Sequence, residues 1–192
     1  ENGFGDDPDT CAETVRLSGE IGLAGICIED TTFPDGGFYD FDLAVERIRA
    51  AAAAARALPD DFVLTARADG ILTGKYDTAE AIKRIKAFAE AGADCLYVPL
   101  PPNMDALAQI VAATDKPVNA LVAGPYSQQS LSDFAKIGVA RISIGSSLAR
   151  VTHKVMHDTA QAMLGGDFTN LSQSMNGGEM DAILRKSDAE RS

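Results

Sequence analysis

The sequence comprises 192 residues, 46% hydrophobic and 23% charged, the balance of a soluble globular chain long enough for one core. A formal net charge of −11 argues against nucleic acid and anionic membrane as partners, and an anionic substrate must find a local cation, either a metal or a placed arginine. No stretch reaches the roughly 18 consecutive apolar residues of a membrane span, and no signal-peptide pattern opens the chain.

An acidic turn precedes the first helical pattern, 9–21, which stops at Gly22. The apolar run 24–28 leads straight into Glu29 and Asp30. An alanine-rich helix over 42–58 ends before Pro59, and a second apolar run covers 62–66. Asp77, with Glu80 three residues on, starts the next helix and Gly92 stops it; Ile82, Ile85 and Ala89 form its expected core-facing stripe. Then come strand 95–98, helix 104–113 capped by Asn103, strand 118–122, helix 131–137 capped by Ser130, and strand 141–144. A further helix follows. The tail, 163–192, holds Gly165-Gly166 and Gly177-Gly178 around short helical patterns and reads as capping or exchanged helices.

The apolar runs are near-continuous, as in strands buried on both faces. Their alternation with helices indicates parallel βα units. Five such strands fit either an open doubly wound sheet or a (β/α)8 TIM barrel with pieces missing. A barrel takes about 250 residues, and the sequence starts on a loop-like Glu1-Asn2-Gly3-Phe4-Gly5. The expectation is one α/β barrel domain over 1–192 that lacks its first strands, with 163–192 as its helical tail. Cys27 and Cys95 fall in strand-like runs, Cys11 stands apart, and there is no C-x-x-C. Cys27 and Cys95 read as reduced core residues of a cytoplasmic protein.

In parallel folds the active site lies at the C-terminal strand ends. There stand Glu29-Asp30, then Arg67 with Asp69, then Pro99, Asn119 and Gly145-Ser146-Ser147. Carboxylates at such a mouth can hold Mg2+, which takes oxygen ligands and keeps several waters. A neighbouring arginine offers a planar fork to a substrate carboxylate, and the turn at Gly3 and Gly5 lets backbone N–H groups approach an anion. Bland readings stand beside these: Glu29 and Asp30 as a cap pair and a solvated acid, Arg67 paired with Asp69 or Asp30, Asn119 satisfying core backbone. His153 and His157 are spaced i, i+4 without a third ligand, so a surface or packing role is expected.

GFG at 3–5, AGICIED at 24–30, TARADG at 65–70, AGADCLYVPLP at 91–101, KPVNALV at 116–122 and GVARISIGSSLAR at 138–150 together resemble the isocitrate lyase/phosphoenolpyruvate mutase superfamily. The resemblance implies a (β/α)8 barrel, C-terminal helices exchanged between subunits, and a homo-oligomer, dimer or tetramer. It implies Mg2+ (sometimes Mn2+) and a small α-keto or α-hydroxy carboxylate whose C–C or P–C bond is made or broken through an enolate-like intermediate. By the same resemblance Glu29 and Glu1 are metal-site acids, Arg67 is the catalytic carboxylate contact, and Asn119, with Gly3 and Gly5, lies at the substrate. The family's first metal acid would stand two residues before Glu1, outside this sequence, as would three front strands and a Ser-Gly loop. The segment TTFPDGGFYDFD, 31–42, lacks the Lys-Cys-Gly-His of isocitrate-cleaving members and the Lys and Asn of P–C members. Tyr39 or Asp40 could supply a proton there, and neither is assigned that role. The reading is an Mg2+-dependent carbon–carbon lyase; the alternatives are a phosphonopyruvate-type P–C enzyme and a catalytically inactive ligand-binding barrel.

Overall fold

The structure, a computed structural model, describes residues 1–189; positions 190–192 of the expected tail lie outside it. Strands β1 (Gly25–Glu29), β2 (Val63–Arg67), β3 (Cys95–Tyr97), β4 (Val118–Leu121) and β5 (Arg141–Ser143) form one sheet, all parallel, in the order β1-β2-β3-β4-β5. Helices α1 (Pro8–Glu20), α2 (Phe41–Arg56), α3 (Thr78–Glu90), α4 (Met104–Ala112) and α5 (Leu131–Lys136) alternate with them, and α6 (Ser147–Leu164) and α7 (Gly177–Ala189) follow. Each strand pairs with the next in sequence. In turn α1 packs on α2, α2 on α3 and α3 on α4, which places these helices on one face of the sheet. A doubly wound sheet reverses its strand order and covers both faces. The described residues instead advance unit by unit, as a (β/α)8 barrel does.

The capping signals act as the sequence suggests. Asp77 accepts from the Glu80 N–H at 3.0 Å and Asn103 from the Ala106 N–H at 2.8 Å. Ser130 and Asp133 form a reciprocal capping box on α5. Two expectations shift. The buried face of α3 is Ala81, Ile85 and Phe88 with Arg84 among them, and Ile82 and Ala89 sit at its margin. An arginine inside an apolar face breaks the stripe that periodicity seeks. Strands β1 and β2 also end one residue later than the apolar runs, so Glu29 and Arg67 are strand residues, paired in register.

Ile28, Leu64, Ala66, Leu96, Val98 and Val118 are buried in the core beneath the helices. Successive strand side chains point to opposite faces, so Cys27, Glu29, Thr65, Arg67, Cys95, Tyr97 and Asn119 look the other way, onto the inner face. The register lines up Glu29, Arg67, Tyr97, Asn119 and Arg141 as one row across all five strands.

Behind that row Asp30 ties three elements together. It is 3% exposed. Its Oδ1 accepts the Asp69 N–H at 2.7 Å; its Oδ2 accepts the Tyr76 hydroxyl at 2.7 Å and Arg84 Nη1 at 3.0 Å. Arg84 also donates to Glu80 and to the Tyr39 carbonyl, each at 3.0 Å. Gly70 makes room for Tyr76: a Cβ there would stand 2.0 Å from the ring.

By internal contacts the chain divides into Glu1–Gly145 and a second unit that begins at Ser146. In the second unit a 3-10 turn, Thr169–Gln173, lies against α6. Helix α6 runs across position 163, where the tail was expected to begin. No helix among the described residues is long and apolar enough to cross a membrane.

Arg84→Met removes one partner of a fully buried ion pair and leaves Asp30 short of a donor. The expected loss is roughly 3–5 kcal/mol, read from urea unfolding. At α5, hydrogen bonds from Ser130 hold Asp133 down to about 2. A carboxyl depressed in the fold adds stability above its unfolded value, lost as pH falls toward about 2. An NMR titration of Asp133 should follow that value in the native chain and move toward the ordinary range in Ser130→Ala.

Candidate active site

The first positions of the site come from a turn held from behind. Gly3 has φ +86° and Phe4 φ 60°, so two successive residues are left-handed. The Gly3 carbonyl accepts Thr14 Oγ1 at 2.6 Å. From α2, buried Arg47 donates to the carbonyls of Asn2, Gly5 and Asp6 and lies 3.9 Å over the Tyr39 ring. Tyr39 in turn accepts from Asn2 and donates to Asp6, each at 2.8 Å. Both ends of its hydroxyl are engaged in holding this turn. Asp40 stands at the start of α2 without a side-chain cap bond. Residues 31–40 close on themselves through a Thr31–Phe38 bridge, and Phe38 meets Tyr76 edge-on at 5.8 Å.

Glu29 and Asp30 are both buried, at 9% and 3% exposure, so neither is a solvated acid. Glu29 Oε1 accepts Arg67 Nη1 at 2.9 Å and the amino group of Glu1 at 3.1 Å. Glu1 therefore meets Glu29 through its nitrogen, while its own carboxylate is exposed. Arg67 Nε donates to Asp69 Oδ1 at 2.5 Å. The fork expected for a substrate is thus shared between two protein carboxylates, Glu29 and Asp69, and Asp30 is engaged elsewhere. These two pairs use Nη1 and Nε of the guanidinium.

Two buried acids around one guanidinium carry more negative charge than it neutralises. Burial, together with the adjacent Glu29 carboxylate, pushes Asp69 up to about 7 against the pull of Arg67. Burial would raise Glu29 too, but the hydrogen bond with Asp69 and the Arg67 guanidinium hold it below the usual range. Of the two acids, Asp69 is the one that burial disposes toward protonation.

Two further groups of the row, Tyr97 and Arg141, escape a search of the residues after strand ends, and Asn119, expected at the substrate, stands between them in register. Tyr97, in register with Arg67, lies with its ring centre 5.0 Å from that guanidinium. Burial raises its phenol, so it remains a donor, and Ser143 is its hydrogen-bond neighbour. Asn119 is fully buried, and its Nδ2 donates to Ser143 Oγ at 2.9 Å. Arg141 donates to Asn119 Oδ1 at 3.2 Å. Counting by twos along β3 and β5 from the register of Glu29 and Arg67 would have found Tyr97 and Arg141.

The cysteines are free, and burial pushes Cys27 up to about 12, so it presents a thiol and not a thiolate. His153 and His157 are exposed on α6. Among the described residues no group of three or more His, Cys, Asp or Glu is arranged to hold a metal.

Residues 1–164 match the sequence pattern of the phosphoenolpyruvate phosphomutase family. A solved Burkholderia cenocepacia J2315 protein, described in general terms as a lyase/mutase, is 40% identical with a TM-score of 0.90, covering 95% of this chain and 66% of that one. An oxaloacetate decarboxylase of Paraburkholderia xenovorans is 32% identical over 80% of this chain and 52% of its own length. An uncharacterized Mycobacterium tuberculosis protein is 35% identical over 76% of this chain and 52% of its own. The chain spans about half the length of these curated relatives. With five consecutive parallel βα units and this matched pattern, the chain belongs to the phosphoenolpyruvate phosphomutase family, within the isocitrate lyase/PEP mutase superfamily of (β/α)8-barrel lyases and mutases.

Proposed function

We propose that the protein is a metal-dependent lyase that cleaves a C–C bond of a small α-keto or α-hydroxy carboxylate. The observation that carries this reading is the in-register row Glu29, Arg67, Tyr97 and Asn119, which sets anion-binding donors beside a buried acid on one sheet face. Arg67 contributes Nη2 to a substrate carboxylate oxygen. Tyr97 and Asn119 add neutral donors along the row, the kind of fixed dipoles that stabilise charge as it develops. The buried Asp69 lies within reach of Arg67 and is the acid of the pair that burial disposes toward protonation. The turn at Gly3 and Gly5, fixed by Arg47 and Thr14, gives one wall of the site its shape.

Mg2+, or Mn2+ in its place, fits the donor set. The acids are carboxylates only, the nearby thiol is protonated, and the excess negative charge around Arg67 favours a cation. Glu29 with Glu1 would hold it, and waters and substrate oxygens would complete its shell. Bound there, it supplies positive charge to an oxygen that becomes negative as the bond breaks. Free thiols fit a cytoplasmic setting, and a homo-oligomer, dimer or tetramer, belongs to the same proposal. The matched family's description favours a second reading, chemistry at a P–C bond. The segment 31–42, without Cys, Lys or His, favours a third, a barrel that binds without turnover.

The full-length protein, incubated with Mg2+ with and without chelator, should be offered oxaloacetate, 2-methylisocitrate, isocitrate, dimethylmalate, phosphoenolpyruvate and phosphonopyruvate. Proton and phosphorus NMR read the result. Chelator-sensitive loss of a carboxylate substrate is expected. Change confined to the phosphorus spectrum would replace the C–C reading with the P–C one, and metal binding without turnover would favour the inactive barrel.

Arg67→Ala should raise KM strongly, because a desolvated charge contact has no ready substitute, and should also lower stability, because it leaves buried Glu29 and Asp69 without their counterion. Lowered stability with KM unchanged would instead make Arg67 a structural counterion alone. Steady-state kinetics beside thermal unfolding separates the two.

A further inference from the structure

Tyr39 is 4% exposed, and each of its polar groups is engaged. Its N–H donates to the Asp30 carbonyl at 2.9 Å, and its own carbonyl accepts Arg84 Nη1 at 3.0 Å. The same nitrogen of Arg84 reaches Asp30 Oδ2 at 3.0 Å. The backbone of Tyr39 is thus tied twice to the residue that follows Glu29. At the far end of the side chain the hydroxyl accepts from Asn2 Nδ2 and donates to Asp6 Oδ1, each at 2.8 Å. Asn2 directly follows Glu1, and Asn2 and Asp6 bracket the left-handed pair Gly3 and Phe4.

The direction of these bonds is determined. A carboxylate only accepts, so the phenol hydrogen goes to Asp6 and the Asn2 amide presents its nitrogen. The ring between the two ends is held from α2, where the Arg47 guanidinium lies 3.9 Å over it. Left-handed backbone at a bulky residue such as Phe4 persists only where its surroundings impose it. Here the Tyr39 hydroxyl and Arg47 close the base of the turn together.

We infer that Tyr39 is a positioning residue that fixes the distance between Glu1 and Glu29. From either acid the path to Tyr39 is one step along the chain and one hydrogen bond. The inference rests on the proposed function, in which those two acids hold the cation. Tyr39 itself touches neither cation nor substrate. Its hydroxyl hydrogen is committed to Asp6, so a tyrosine that could supply a proton acts by geometry instead. Mg2+ demands near-ideal octahedral geometry. Two acids from separate segments meet that demand only while the segments are held together, and Tyr39 is the residue that holds them.

The test uses the full-length protein with Mn2+ alone as the probe, titrated by electron paramagnetic resonance. The site in question is the one lost in Glu29→Gln. Tyr39→Phe keeps the ring under Arg47 and removes only the hydroxyl. It should weaken that site about fivefold to tenfold, the worth of one displaced hydrogen bond. Asp6→Asn loses the charge but keeps an acceptor and should stay near native, whereas Asp6→Ala should weaken the site as Tyr39→Phe does. In the Tyr39→Phe background Asp6→Ala should cost little more. Native manganese affinity in Tyr39→Phe would overturn the inference. So would a full additional loss in the double variant, because Asp6 would then act on the ion itself. A second arm needs no metal: hydrogen exchange over residues 1–7, read by mass spectrometry, should quicken about fivefold to tenfold in Tyr39→Phe while thermal unfolding changes little. Unchanged exchange there would also overturn the inference. If the native protein has no manganese site sensitive to Glu29→Gln while exchange over 1–7 responds to Tyr39→Phe, the positioning role stands and the proposed function fails.

Discussion

A carboxylate taken out of water must find donors for its lone pairs, and Asp30 finds them in three separate parts of the chain. The backbone after β2 supplies Asp69 N–H, the following loop supplies Tyr76, and α3 supplies Arg84. These bonds do more than satisfy one acid. They fix the exit of β1 relative to the exit of β2, and so the position of Glu29 relative to Arg67 and Asp69. Gly70 belongs to the same arrangement, since any side chain there would displace the Tyr76 ring. Glu29 is thus placed by its neighbour in sequence, which itself faces the helices' side of the structure.

The second constraint is electrostatic. Asp30 has its own arginine in Arg84, so Arg67 is left to balance Glu29 and Asp69 together. One cation for two buried carboxylates leaves a proton on Asp69 or room for a further positive charge. This imbalance distinguishes the mouth of the sheet from the structural network a few residues away, although both are built from the same residue types.

Much of the architecture was legible in the sequence, and the reasons are local. Asp77, Asn103 and Ser130 cap helices because their side chains accept N–H groups three residues on, a relation that needs no tertiary knowledge. Apolar runs between helical patterns gave five parallel strands in the observed order. Arg84 was not legible, because its place inside α3 depends on Asp30, 54 positions away. The pairing of Arg67 was legible in part. The sequence offered Asp69 or Asp30, Asp69 is a partner, and only the register between β1 and β2 adds Glu29. Tyr97 and Arg141 were missed because each looks unremarkable within its own strand. Their meaning comes from lateral alignment with residues dozens of positions distant.

That alignment bears on how such a protein can change. The apolar residues facing the helices and the polar residues of the row occupy alternate positions of the same strands, so packing and chemistry are written in separate letters of one text. Each strand contributes a single member to the row. A lineage can therefore revise Tyr97 or Asn119 without rewriting Leu96, Val98 or Val118, and can try new reactions one strand at a time on a scaffold that continues to fold.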